Sequence, residues 1–84
     1  MSRTLVNKEK GSVTLFAFDR NQELSEHTVP HDAFVCVLEG RASIAIAGVA
    51  HELQGGDAIL MPANRPHAVK ATDRFKLMLT MIRS

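Results

Sequence analysis

The sequence has few of the residues on which several classes of protein depend. It contains a single cysteine, Cys36, which excludes both an intrachain disulfide framework and a cysteine-rich zinc site. Lysine and arginine number 10 against 9 acidic residues, a net charge of +1, so no charge excess points to nucleic acid or an anionic membrane. The four phenylalanines are the only aromatic residues, which leaves little for the stacking of bases.

Long apolar runs are missing as well. No stretch reaches the roughly 20 apolar residues of a membrane-spanning helix. The first residues, MSRTLVNKEKG, lack the apolar segment of a signal peptide. We therefore predict a cytoplasmic protein without nucleic-acid or membrane partners. The 84 residues suffice for one small domain, 1–84, and a hydrophobic content of 45% suffices for a core.

The sequence does contain short runs rich in Val, Ile, Leu and Phe, separated by Gly, Pro, Asn and Asp. It has no convincing amphipathic helical pattern, and many short strands at regular spacing are typical of an all-β sandwich or barrel. Turns are predicted at the separating residues, among them Glu39–Gly40 and Ala47–Gly48. The predicted strands are 3–8, 12–19, 23–28, 33–39, 41–47, 50–54, 58–61, 67–71 and 74–82.

Strand 33–39 is apolar on both faces, because every position of its AFVCVL segment is apolar. A barrel of this size hides only one face of each strand inside itself. The outer face then needs a second sheet or a second copy of the chain, and in so short a chain a homodimer is the simpler prediction. We expect Phe34, Cys36 and Leu38, or the N-terminal strand, to contribute to the interface.

The stretch GDAILMPANRPHAVKA, 56–71, resembles the second motif of the cupin family, G-x5-P-x-G-x2-H-x3-N. Gly56, Pro62 and His67 match this motif. Asn64 stands where the motif has a glycine, and asparagine tolerates a left-handed backbone better than most residues; Ala71 replaces the final asparagine. The resemblance implies an all-β fold, the cupin-type double-stranded β-helix or jelly-roll barrel.

The first motif of that family, G-x5-H-x-H-x3-4-E-x6-G, is matched only in part. Counting back from Gly40 places His27 at the first histidine and Asn21 at the first glycine. Val29 and Ala33 stand at the positions of the second histidine and the glutamate. Two of the four metal ligands that the resemblance implies are therefore replaced by small apolar residues. The two that remain are His27 and, from the second motif, His67.

The resemblance implies that His27 and His67 face one barrel cavity, where imidazole suits a divalent transition metal such as Mn, Fe, Ni, Cu or Zn. His31 lies four residues after His27, so strand alternation returns it to the same face. Pro30 interrupts regular pairing, so His31 either turns inward as a third ligand or stays at the rim in water. The predicted pocket residues around these histidines are Val29, Ala33, Val35, Met61 and Val69.

Two functions are compatible with these residues. The first is a small single-domain cupin that binds a small molecule in its barrel through a divalent metal held by His27, His31 and His67. The alternative is a metal-free module that binds or senses a small ligand, because Val29 and Ala33 widen a cavity and coordinate nothing. A dimerisation module is a third hypothesis. No nucleophile set or phosphate-binding loop indicates a reaction.

Overall fold

The computed structural model describes residues 2–82, and these form seven antiparallel strands and no helix. The all-β prediction is confirmed. Positions 1, 83 and 84 of the predicted domain lie outside the described residues. In the described part of the chain no helix has the length and apolarity to cross a membrane. The strands are β1 Ser2–Lys8, β2 Gly11–Phe18, β3 Glu23–His27, β4 Asp32–Ile46, β5 Val49–Gln54, β6 Ala58–Met61 and β7 His67–Ile82.

Two pairs of predicted strands are each one continuous strand. Segments 33–39 and 41–47 merge into β4, and segments 67–71 and 74–82 merge into β7. The breaks predicted inside them are therefore wrong. The turn predicted at Ala47–Gly48 is present and closes the β4–β5 hairpin, with φ of 50° and 81° at its two residues, the signs that a tight two-residue hairpin loop requires.

The two long strands β4 and β7 hold the fold together. They pair with each other from Asp32–Ile82 to Ile46–His67. Each also has a different second neighbour along its two halves: β7 pairs with β3 and then β2, and β4 pairs with β6 and then β5. The sheet thus has two halves that face each other across the core. One half contains β1, β2 and β6, and the other contains β3 and β5.

The bend of β4 between these halves lies at Gly40. Its φ is 84°, and the register with β7 shifts between Val37 and Glu39 and again between Gly40 and Ala42. A Cβ at Gly40 would overlap the carbonyl oxygen of Arg74. The glycine that was predicted to end a strand instead forms a β-bulge that redirects it.

The core lies between the two halves and is filled by alternate residues of β4 and β7. Val35 and Val37 come from one half of β4, Ile44 from the other, and all three are almost fully buried. Phe75 of β7 is also buried, and Phe18 stacks on it with the ring centroids 4.7 Å apart. The bend at Gly40 therefore makes one strand contribute to both sides of a single core.

Candidate functional site

Part of the core is a cavity of about 60 Å³ between the two halves of the sheet. Its walls come from β2, β3, β4, β6, β7 and the loop before β4, and two of its lining residues are polar, His27 and His67. The five pocket residues predicted from the sequence all line it: Val29, Ala33, Val35, Met61 and Val69. The structure thus places the two motif histidines at an otherwise apolar cavity.

Strands β3 and β7 bring these histidines together, because His27 and His67 are directly opposite each other in the antiparallel ladder. The centroids of their rings lie 4.4 Å apart, and the ring planes meet at 72°, an edge-to-face contact. His67 is only 3% exposed, whereas His27 is exposed. One imidazole is therefore part of the core, and the other connects the core to solvent.

Each ring is oriented by a hydrogen bond to the backbone two residues earlier in the chain. Nδ1 of His27 lies 2.8 Å from the carbonyl oxygen of Ser25, and Nδ1 of His67 lies 3.2 Å from that of Arg65. A carbonyl oxygen can only accept, so these partners assign the proton to Nδ1 on both rings. In the neutral form of each histidine, Nε2 is left with a free lone pair. No described residue donates a hydrogen bond to either Nε2.

The surroundings keep His67 uncharged. Burial lowers the pKa of His67 below its ordinary value, and the neighbouring His27 lowers it further, since two positive rings would repel each other. The hydrogen bond to the carbonyl of Arg65 acts in the opposite direction and is the smallest of the three causes. At neutral pH the cavity therefore contains a neutral imidazole in contact with an apolar wall.

The structure does not bring His31 to this pair. His31 is absent from the cavity lining, and within residues 2–82 no three His, Cys, Asp or Glu side chains are grouped so that they could hold a metal ion. The segment before β4 is fixed by two hydrogen bonds: the amide of Asn64 donates to the carbonyl of Val29, and the amide of Ala63 donates to the carboxylate of Asp32, both at 2.8 Å. Two of the three predicted ligands are thus assembled.

The donor set fits a resident transition metal poorly. The two Nε2 lone pairs are suitable donors, and an Nδ1–carbonyl bond is the usual way in which a ligating histidine is oriented. However, open catalytic zinc sites hold the ion with three protein ligands. Val29 and Ala33, at the positions of the missing ligands, have no donor atoms, and no other described residue replaces them.

Six further apolar residues complete the cavity beside the five pocket residues predicted above. They lie on β2, β3 and the second half of β7, and a signal for most of them was present in the sequence. Phe16 pairs with Leu77. Side chains alternate along the predicted strands 12–19 and 74–82, so the other lining residues of these two strands follow once one of them is known to face inward. The six residues are Phe16, Phe18, Leu24, Leu77, Leu79 and Met81.

The cavity borders an open groove of about 320 Å³ between β2 and β3. The groove shares Phe16, Phe18 and Leu24 with the cavity. It adds Ala17 and three polar residues, Ser2, Gln22 and Glu23. Leu24 is 39% exposed. The three shared residues therefore form the boundary between the groove and the histidine pair.

The fold and the site define a small antiparallel β-barrel with a histidine-containing cavity. The sequence profile of the cupin domain matches residues 14–83, most of the chain. The chain therefore belongs to the cupin family, as the two motifs indicate. It is similar to the crystal structure of a conserved protein of unknown function from Streptococcus pyogenes, with 37% identity and a TM-score of 0.95 over all of this chain and 74% of that one.

Other solved structures agree on this architecture. A cupin superfamily protein from Desulfitobacterium hafniense is 25% identical with a TM-score of 0.95, covering 100% of this chain and 77% of that one. A cupin 2 conserved barrel domain protein from Leptotrichia buccalis is 33% identical with a TM-score of 0.95, covering 99% of this chain but 40% of that one. Among curated proteins none matches the chain.

Proposed function

We propose that this cupin binds a small, mostly apolar molecule in its barrel cavity, where the polar group of the ligand contacts His27 and His67 without a resident metal ion. The observation that carries the proposal is the pair of imidazoles, with ring centroids 4.4 Å apart, in a cavity whose other lining residues are apolar. Small-molecule sites of proteins are typically apolar clefts in which a few polar groups fix the orientation of the ligand.

The residues at the missing ligand positions support the metal-free form. Val29 and Ala33 line the cavity, so both enlarge the apolar surface at the place where the family motif has metal donors. A site with two protein ligands holds a transition metal weakly, because most of the coordination is left to water. Binding of the divalent metal predicted from the sequence is therefore the alternative that metal analysis tests.

A matched pair of variants tests ligand binding. Ala33→Leu adds three carbon atoms to a residue that lines the cavity, whereas Ala50→Leu adds the same atoms at an exposed position of β5. We expect small apolar molecules to bind the unmodified protein and Ala50→Leu, and to lose binding to Ala33→Leu, in ligand-observed NMR. Overpacking costs about 1–3 kcal/mol, so circular dichroism must show that Ala33→Leu is folded. Equal binding by both variants would contradict the proposed site.

Metal analysis of protein purified without a histidine tag tests the metal-free form. We expect much less than one transition metal ion per chain. A stoichiometric metal that disappears in His67→Ala, and is retained in His51→Ala on the exposed face of β5, would replace the metal-free proposal with a metal-dependent one.

We also propose that the protein is a homodimer, and that the outer face of the half-sheet containing β2 and β6 forms the interface. The strand register places Leu15, Met78, Cys36 and Ala58 in one row across four strands. A neighbouring row contains Phe34.

The chemistry of this face favours a second copy of the chain as its partner. Phe34 is 41% exposed and its cross-strand neighbour Leu60 is 50% exposed, which is typical of a surface that packs against another apolar surface. A net charge of +1 causes little repulsion between two copies. Sedimentation equilibrium should give the mass of a dimer at micromolar concentration, and the mass of a monomer would contradict the proposal.

Two predictions from the sequence stay predictions. They are the cytoplasmic location and the lack of nucleic-acid and membrane partners. Both rest on the near-neutral charge and on the composition of the chain.

A further inference from the structure

We infer that the ligand of the cavity is an uncharged molecule with a hydroxyl group, or another neutral hydrogen-bond donor, which donates to Nε2 of His27 or His67. This inference rests on the proposed function and specifies the class of ligand. It follows from the way in which the two rings are anchored, from the apolar lining and from the shape of the space around them.

The hydrogen bonds from Nδ1 of His27 and His67 to backbone carbonyls leave the Nε2 atoms of both rings as hydrogen-bond acceptors. A neutral imidazole carries one proton, on one of its two ring nitrogens. The carbonyls of Ser25 and Arg65 hold that proton on Nδ1 of His27 and of His67, respectively. Moving it to Nε2 would break the backbone bond at a cost of about 1 kcal/mol for each ring. An ether or a ketone has only lone pairs to present to these Nε2 atoms, whereas a hydroxyl group can donate.

The apolar lining selects against charge of either sign. The cavity has eleven apolar lining residues besides the two histidines, and no carboxylate, lysine or arginine among them. An ammonium group could donate to Nε2, but its charge would have no partner in the cavity and its desolvation would be costly. A carboxylate would carry the same cost and would also face two lone pairs. A neutral donor avoids both penalties.

The shape of the space selects a slender molecule. A cavity of about 60 Å³ accommodates only a few atoms, whereas the adjoining groove of about 320 Å³ is larger and open. The two spaces share Phe16, Phe18 and Leu24. The groove is therefore the adjoining space for the apolar part of a ligand whose hydroxyl group lies at the histidines. A short unbranched primary alcohol is the simplest molecule with this form.

Three probes of equal chain length test the inference: 1-hexanol, pentyl methyl ether and hexanoate. They are titrated into the full chain at about pH 8, above the ordinary pKa of histidine, with EDTA present. We expect 1-hexanol to bind about three- to tenfold more tightly than the ether, which is the effect of one net hydrogen bond, and hexanoate to bind most weakly. The double variant His27→Leu/His67→Leu should bind the alcohol and the ether equally, because both acceptors are gone while the apolar wall remains.

The controls separate this inference from the proposed function. His51→Leu, on the exposed face of β5, should retain the preference for the alcohol. If the double variant does not fold, the single variants His27→Leu and His67→Leu take its place, and the preference for the alcohol should be lost in one of them. Equal affinities of the unmodified protein for alcohol and ether, or tighter binding of hexanoate, would overturn the inference and leave the proposed function standing. Failure of the unmodified protein to bind any of the three would overturn the proposed function itself.

Discussion

The two faces of β4 carry side chains of the same kind in opposite surroundings. Ala33 and Val35 on the inner face are 2% and 1% exposed, whereas Phe34 and Leu38 on the outer face are 41% and 51% exposed. The inner face packs against the other half of the sheet. Hydrophobicity alone therefore does not identify the core of so short a chain, because the strand also carries an apolar surface that the monomer leaves in solvent.

The largest expected effect comes from a charge on the inner face. Val35→Asp places a carboxylate in the buried apolar cluster, whose described members include no lysine or arginine. The cost of burying an unpaired charge is several kcal/mol, comparable to the total stability of about 5–15 kcal/mol of a small domain. We expect circular dichroism to show an unfolded chain. A folded Val35→Asp with an unchanged melting temperature would mean that Val35 does not face the core.

The same charge on the outer face should have a different result. Phe34→Asp introduces the carboxylate at a position 41% exposed in the monomer, so the barrel should still fold. A charge at the centre of an apolar interface opposes association, and we expect sedimentation equilibrium to show a monomer. Its melting temperature should fall moderately, because a dimer is stabilised by association. A dimer of Phe34→Asp would move the interface to another surface, such as β1.

A smaller effect is expected at Asp32, where β4 begins. Its carboxylate accepts a hydrogen bond of 2.8 Å from the amide of Ala63 and so links the strand to the loop before β7. Asp32→Ala should lower the free energy of unfolding by about 0.5–1.5 kcal/mol, the net contribution of one hydrogen bond. Glu52→Ala, which removes an exposed carboxylate from β5, is the control and should change stability much less in urea titrations.

The smallest expected effect comes from the buried histidine, His67, and concerns the pH dependence of stability. Because the pKa of His67 is lower in the folded chain, the unfolded chain binds more protons just below the ordinary value of about 6.5. This contribution to stability is therefore complete above that pH and is lost as the pH falls toward the folded pKa. The melting temperature of the unmodified protein should decrease more between about pH 8 and about pH 5 than that of His67→Asn. Equal decreases would mean that His67 titrates normally.

The motif spacing predicted the parts of the site that depend on strand alternation. Gly40 and Gly56 fix the register, and from this register His27 and His67 follow as neighbours at one cavity. Asn64, predicted to tolerate a left-handed backbone, has φ of 63°. Such placements can be read from a sequence because a period of two residues leaves few alternatives once one position is known.

Other parts depend on tertiary contacts that a single sequence does not reveal. A glycine marks a turn and a β-bulge alike, and the close approach of Arg74 that distinguishes them at Gly40 is 34 residues away in the sequence. The position of His31 depends on how the segment after Val29 is held. Val29 accepts a hydrogen bond from the amide of Asn64, which lies in a loop distant in the sequence. Alternation does not extend through a proline, so the third predicted ligand could not be placed.

The pairing of β4 with β7 has a consequence for the synthesis of the chain. It joins Asp32 to Ile82, about 50 residues apart, and a topology rich in such distant contacts folds slowly. On the ribosome, which adds about 5–20 residues per second, the β4–β5 hairpin can form early, whereas β3 must wait for its neighbour β7. For several seconds the nascent chain therefore exposes the apolar strands of an incomplete barrel. Such exposed apolar surface is prone to aggregation until β7 pairs and covers it.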